Sequence, residues 1–131
     1  MGTRCLTTVY DGSTRILVKM YRQMDGYPDG HGKELGDFLK DMKLCNGFGR
    51  EQETGKWANG MNCLAAQIVA HFKKEIGQFY LYPAEITASE CDADYTYEIF
   101  HDSTILVKKC SGSKVTVYAG PWNELSDFIE R

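Results

Sequence analysis

The sequence predicts one α+β domain over residues 1–131, with an antiparallel or mixed β-sheet of about six strands and two to three helices packed on one face. Three observations support this fold class. The chain opens on a hairpin pattern, it closes on three β-type runs joined by short turns, and apolar stripes at helical spacing lie between and after them. No β-α-β alternation appears, so we do not expect a parallel, doubly wound sheet.

The first two elements form the predicted hairpin. The runs from Cys5 to Tyr10 and from Thr14 to Arg22 are rich in β-branched and aromatic residues. Between them, Asp11-Gly12-Ser13 supplies residues that favour a tight turn.

The next stretch is rich in glycine, because eight of the 13 glycines lie between residues 26 and 60. One helix is predicted within it, from Lys33 to Met42, where four apolar residues follow helical spacing. The segment from Lys43 to Gly60 is predicted to be a loop, and its length of about 18 residues is typical of functional or mobile loops.

The longest predicted helix runs from Met61 to Ile76, since its apolar residues trace one stripe and Gly77 offers a C-terminal stop. Four β-type runs follow it, and the last three are predicted to form an antiparallel meander: Phe79 to Tyr82, Tyr95 to His101, Thr104 to Cys110 and Lys114 to Ala119. A final helix is predicted to begin at Pro121.

Composition excludes several function classes. No apolar run approaches the roughly 20 residues of a membrane span, and the chain starts without an apolar secretion signal, so we expect a cytoplasmic protein. The net charge of −3 provides no basic field for binding duplex nucleic acid. The five cysteines are odd in number and contain no C-x-x-C pair, so we expect reduced thiols and no zinc site.

The segment from Tyr21 to Gly32 holds the main candidate site. Alternating glycines allow backbone N–H groups to converge beside a helix start, which is a geometry that suits an anion such as a phosphate or carboxylate. Arg22 offers a bidentate contact, Tyr21 and Tyr27 offer hydroxyl or stacking groups, and His31 offers a hydrogen bond or a proton. Asp25 completes the candidate set in this loop.

Other interpretations of these residues stay open. Asp-Gly and Tyr-Pro are ordinary turn dipeptides, so the segment also suits a simple strand-to-helix connection. Neither the phosphate loop of nucleotide hydrolases nor the G-x-G-x-x-G fingerprint is present. Three donors in one glycine loop do not define a metal site, and no cofactor is expected. Trp57 is either an anchor on the core or a contact for a partner.

The string from Tyr21 to Leu35, written YRQ-x-DGYP-x-GHG-x-EL, resembles a family of small, largely uncharacterised proteins of bacteriophages, prophages and bacteria. The resemblance covers roughly the first 40 residues. It implies a bacterial host cell as the context, in which such proteins often disable a defence protein or sequester its nucleotide signal.

From these observations we expect a phage-type anti-defence accessory protein that binds a nucleotide-like or anionic ligand through the glycine-rich loop 25–32 without turnover. The expected ligand-binding residues are Tyr21, Arg22, Asp25, Tyr27, His31 and Trp57. A protein–protein inhibitor of a host defence factor is one alternative, and a small phosphoester hydrolase using His31 and Asp25 is another. A homodimer is also expected, because a second copy commonly covers an exposed sheet edge.

Overall fold

The computed structural model describes residues 2–131, and it confirms the predicted α+β fold. Within these residues, six strands form one mixed sheet in the order β5-β2-β1-β6-β7-β8. The strands of this sheet are β1 (Cys5–Asp11), β2 (Arg15–Arg22), β5 (Phe79–Tyr82), β6 (Tyr95–Ile99), β7 (Thr104–Lys109) and β8 (Val115–Pro121).

Strand pairing follows the predicted hairpin and meander. Strands β1 and β2 are antiparallel, as are β6, β7 and β8 in succession. The sheet becomes mixed where β1 lies parallel to β6, with Cys5 opposite Tyr95. Strand β5 pairs antiparallel with β2 and forms one edge of the sheet.

Three α-helices are present in residues 2–131, and each differs from its predicted bounds: α1 (Lys33–Leu39), α2 (Gly60–Phe72) and α3 (Leu125–Glu130). Helix α1 ends before the predicted Met42, because Lys40 leaves the helical region and Asp41 has a positive φ of 64°. Helix α2 ends before the predicted Ile76, because Lys73 is extended. The final helix does not begin at Pro121, since a 3₁₀ turn at Trp122–Glu124 precedes α3.

The segment predicted to be a loop from Lys43 to Gly60 is partly ordered into a second sheet. Its strands are β3 (Lys43–Cys45) and β4 (Trp57–Asn59), which pair in parallel. A 3₁₀ turn at Arg50–Glu53 lies between them. The prediction of a loop was wrong here because three-residue strands are too short to show an alternating pattern.

All three helices contribute to one core against the same face of the large sheet. Alternate residues of the strands point into this core, including Val9 of β1, Met20 of β2 and Ile99 of β6. A smaller apolar cluster of Leu6, Tyr21 and Ala93 lies on the opposite face.

Candidate functional site

In the loop that was predicted to bind an anion, backbone N–H groups donate hydrogen bonds to carbonyls of the same loop. The loop leaves β2 after Arg22, and a short turn of π-helix at Pro28–Gly32 follows it. The N–H of His31 donates to the carbonyl of Asp25 over 2.8 Å, and that of Gly30 donates to the carbonyl of Tyr27 over 2.9 Å. These donors are therefore committed inside the loop and do not converge on an open site.

Close packing accounts for two of the glycines. A Cβ atom on Gly26 would lie 2.8 Å from backbone atoms of Arg4 and Cys5. A Cβ atom on Gly30 would lie 2.5 Å from the carbonyl oxygen of Asp25. Since neither backbone neighbour can rotate away, only glycine fits at these positions.

Beneath the loop lies a buried polar network built from Thr7, Arg22 and His31, with the half-exposed Glu34 at its outer edge. His31 is fully buried, and its Nε2 lies 2.7 Å from the hydroxyl oxygen of Thr7. Its Nδ1 lies 3.3 Å from Nη1 of Arg22. Because a guanidinium only donates, Nδ1 of His31 accepts and Nε2 carries the proton that is donated to Thr7.

The surroundings of His31 keep its imidazole neutral. Burial, with a smaller contribution from the charge of Arg22, lowers the pKa of His31 from 6.5 to about 3. The ring also packs against Phe72 at a centroid distance of 4.9 Å and against Tyr97 at 4.8 Å. The imidazole is thus placed to hold the loop on the sheet, and its atoms do not contact solvent.

Arg22 is the other centre of the network. Its guanidinium donates to both carboxylate oxygens of Glu34, over 3.0 and 3.3 Å, and its Nε donates to the carbonyl of Met24 over 2.6 Å. It also stacks over the ring of Phe79 at 5.0 Å from the centroid. Only 5% of Arg22 is exposed, so these contacts join α1, the loop and β5 from inside the protein.

The remaining predicted residues are spread over three places. Asp25 and Tyr27 are exposed on the outside of the loop, and the carboxylate of Asp25 lies 3.9 Å from the guanidinium of Arg22. Tyr21 lies on the opposite face of the sheet, where its ring stacks on that of Tyr82 at 5.3 Å. Trp57 lies in β4, and its indole N–H donates to the carbonyl of Thr54.

Trp57 borders a small separate cavity of about 260 Å³, which also contains the exposed ring of Phe48. The structure therefore brings Arg22, Asp25 and His31 together and leaves Tyr21 and Trp57 apart from them. Within residues 2–131, no three His, Cys, Asp or Glu side chains are close enough to hold a metal ion.

Sequence reasoning missed a surface beside this network, which we call the apolar corner and define by the exposed side chains of Met24 and Ile76. The exposed fractions of these two residues are 51% and 100%, respectively. A groove of about 460 Å³ passes between Met24 and Ile76, with Phe72 and Phe79 in its walls. Ile76 was predicted to lie on the buried stripe of the long helix, and it is exposed because α2 ends four residues earlier.

The edge of β5 beside the apolar corner is partly blocked. The ammonium of Lys73 donates to the carbonyls of Gly77 and Phe79, and Pro83 directly after the strand has no N–H. Since backbone groups alternate in direction along an antiparallel strand, the N–H and C=O of Leu81 point away from β2. The edge thus offers few backbone hydrogen bonds, and apolar side chains dominate its surface.

Comparison of the chain with family models, with curated proteins and with solved structures gives no match. Among residues 2–131, no helix is long and apolar enough to cross a membrane.

Proposed function

We propose that this chain is a binding protein without turnover and that its apolar corner docks another protein. The observation that carries the proposal is the complete exposure of Ile76 at the rim of a groove that also contains the half-exposed Met24. Burying one such aliphatic side chain stabilises a complex by about 1.5–3 kcal/mol before the costs of association are subtracted. Two exposed apolar side chains on one groove with Phe72 and Phe79 in its walls therefore form a typical centre for a protein interface.

The partner that fits this surface presents aliphatic side chains. The groove takes the aliphatic groups, and Lys74 and Glu75 in its wall carry opposite charges, so the groove favours neither sign of charge in the partner. The partial blocking of the β5 edge by Lys73 and Pro83 favours side-chain contacts over the addition of a partner strand. In the phage context that the sequence resemblance implies, this partner is a host defence protein.

The same geometry supports binding rather than hydrolysis. A general acid or base must reach the substrate, whereas His31 is enclosed and neutral. An anionic ligand at residues 25–32 stays a prediction of the sequence, and it would have to bind to the exposed Asp25 and Tyr27 side of the loop.

Site-specific photo-crosslinking tests the proposal. A benzophenone side chain placed at position 76 captures whatever occupies the corner in bacterial cells, and the captured protein is then purified. Its affinity is measured for wild type, for Ile76→Asp and for Phe48→Asp, the last being a control because Phe48 is 76% exposed in a distant loop.

We expect Ile76→Asp to weaken binding at least about tenfold, while Phe48→Asp leaves it unchanged. Equal affinity for all three proteins would contradict the proposal. A crosslink only between two copies of the chain would also contradict it and would assign the corner to a homodimer.

A further inference from the structure

Met24 in the apolar corner is the one methionine among residues 2–131 that the fold leaves open to solvent. It is 51% exposed, whereas Met20, Met42 and Met61 are at most 5% exposed. It also lines the groove that passes beside Ile76. Its thioether is therefore both accessible to small solutes and part of the proposed docking surface.

The backbone of Met24 is held by hydrogen bonds that do not involve its side chain. Its N–H donates to Oε1 of Gln78 over 3.0 Å, and its carbonyl accepts from Nε of Arg22 over 2.6 Å and from Nε2 of Gln78 over 3.3 Å. A Cβ atom on Gly2 would lie 2.7 Å from Cγ of Met24, so the base of the side chain packs against the Gly2 backbone. The exposed part of Met24 therefore lies towards its thioether end, where a chemical change alters the surface and leaves these hydrogen bonds in place.

The characteristic reaction of an accessible thioether is oxidation by a hydroperoxide. A lone pair of the sulfur attacks one peroxide oxygen, so that an S–O bond forms and the O–O bond breaks. The proton on the attacked oxygen moves to the departing hydroxide, which leaves as water. The sulfur loses two electrons, the peroxide gains them, and a flexible apolar group becomes a polar sulfoxide.

The groove offers few free donors to a sulfoxide oxygen. Two of its polar side chains are already engaged, because Lys74 donates to the carbonyl of Ala70 and the amide of Gln78 donates to the carbonyl of Met24. A sulfoxide that a bound apolar group shields from water would therefore lose hydrogen bonds without replacement. Oxidation should weaken docking for this reason.

We propose that Met24 is a site of reversible oxidation and that its sulfoxide switches off apolar docking at the corner. The oxidant is a hydroperoxide such as hydrogen peroxide, and a methionine sulfoxide reductase restores the thioether. This inference rests on the proposed docking function, because the modification acts through the corner's binding of apolar groups.

Peptide mass analysis tests the selectivity of the oxidation. The folded protein is treated with hydrogen peroxide, then with dithiothreitol to recover oxidised thiols, and is digested with trypsin. Because Lys or Arg separates the five methionines, each lies in its own peptide: 1–4, 20–22, 23–33, 41–43 and 57–73. We expect a sulfoxide fraction at Met24 at least about fivefold above that of the three buried methionines. Equal oxidation of these four residues would overturn the proposal.

Titration with the apolar dye anilinonaphthalene sulfonate tests the switch without an identified partner. Wild type and Met24→Leu are each compared before and after the same treatment, so each protein is its own reference. The variant keeps all five cysteines, so any effect of thiol oxidation is present in both proteins. We expect oxidation to weaken dye binding at least about fivefold in wild type and less than about twofold in Met24→Leu. Urea unfolding should show the same midpoint for oxidised and untreated wild type.

The protein captured at position 76 is then titrated into the same samples, with the same ratios expected. No loss of affinity in wild type, equal losses in the two proteins, or a lowered urea midpoint would overturn the inference and leave the docking function standing. If no protein is captured but the dye responds as expected, the proposed docking function fails and the oxidation switch of an apolar surface stands. If neither the dye nor a protein binds, both fail.

Discussion

The buried polar network and the apolar corner are neighbours in the structure. The polar residues of the network are buried and the apolar residues of the corner are exposed, which is the reverse of what their residue types suggest. Arg22 and His31 are at most 5% exposed, whereas Ile76 is completely exposed and Met24 is 51% exposed. The two regions even share a contact, because Arg22 donates to the carbonyl of Met24. The comparison teaches that residue chemistry marks a binding site only where solvent or a partner can reach it.

The polar network stabilises the fold, so we expect a substitution of its central residue, Arg22, to have the largest effect on stability. We expect Arg22→Met to lower the free energy of unfolding by about 3 kcal/mol, because His31 Nδ1 and the Met24 carbonyl lose their donor. Glu34 is half exposed, so its loss of a partner is mostly compensated by water. Urea unfolding measures the change.

The control for this prediction is Glu34→Gln, for which we expect less than about 1 kcal/mol. If Arg22→Met unfolded with the stability of wild type, the guanidinium would be available for a ligand, and the contrast between the two regions would fail.

The glycines of the loop provide a second test of the same contrast. Gly30→Ala should cost about 2 kcal/mol, because its Cβ atom would lie 2.5 Å from the carbonyl oxygen of Asp25 and the backbone would have to shift. Asp29→Ala in the same turn is the control, and we expect a change within about 0.5 kcal/mol because Asp29 is exposed. Thermal unfolding of both variants measures this difference, and equal stability would show that the loop is not tightly packed.

A substitution in the apolar corner should leave the stability of the fold almost unchanged, in contrast to the substitutions of Arg22 and Gly30. We expect Ile76→Ser to change the free energy of unfolding by less than about 0.5 kcal/mol, because the side chain makes no buried contact to lose. Urea unfolding checks this value. A loss above about 1.5 kcal/mol would place Ile76 in the core and remove the basis for the docking surface.

Local patterns predicted much of this fold, and non-local contacts explain most of the errors. The hairpin of β1 and β2 and the meander of β6 to β8 were predicted because adjacent segments pair across short turns. The parallel pairing of β1 with β6 joins residues about 90 positions apart, and no local pattern reports such a contact.

At the candidate site, too, local sequence patterns were informative, and non-local contacts explain what the sequence did not predict. The string around Arg22 and His31 was singled out for its residue types, but residue types do not report burial, and the contact with Thr7 comes from a different strand. The apolar corner was missed because the stripe up to Ile76 continued the helical period, whereas the chain leaves the helix at Lys73.

The protonation of His31 has a consequence for stability. Because folding lowers the pKa of His31 from 6.5 to about 3, only the unfolded chain takes up a proton as the pH falls below 6.5. The free energy of unfolding is therefore not reduced by His31 above pH 6.5. It falls progressively between pH 6.5 and pH 3, by up to about 1.4 kcal/mol for each pH unit.

The most direct test of the central claim, that the loop 25–32 is anchored by a buried polar network, is an NMR titration of the imidazole nitrogens of His31. The signals are assigned by their absence in His31→Gln. We expect a neutral ring with the proton on Nε2 and no titration between pH 5 and 8. A ring that titrates with a pKa near 6.5, or that carries its proton on Nδ1, would contradict the network and return His31 to the list of residues that a ligand can reach.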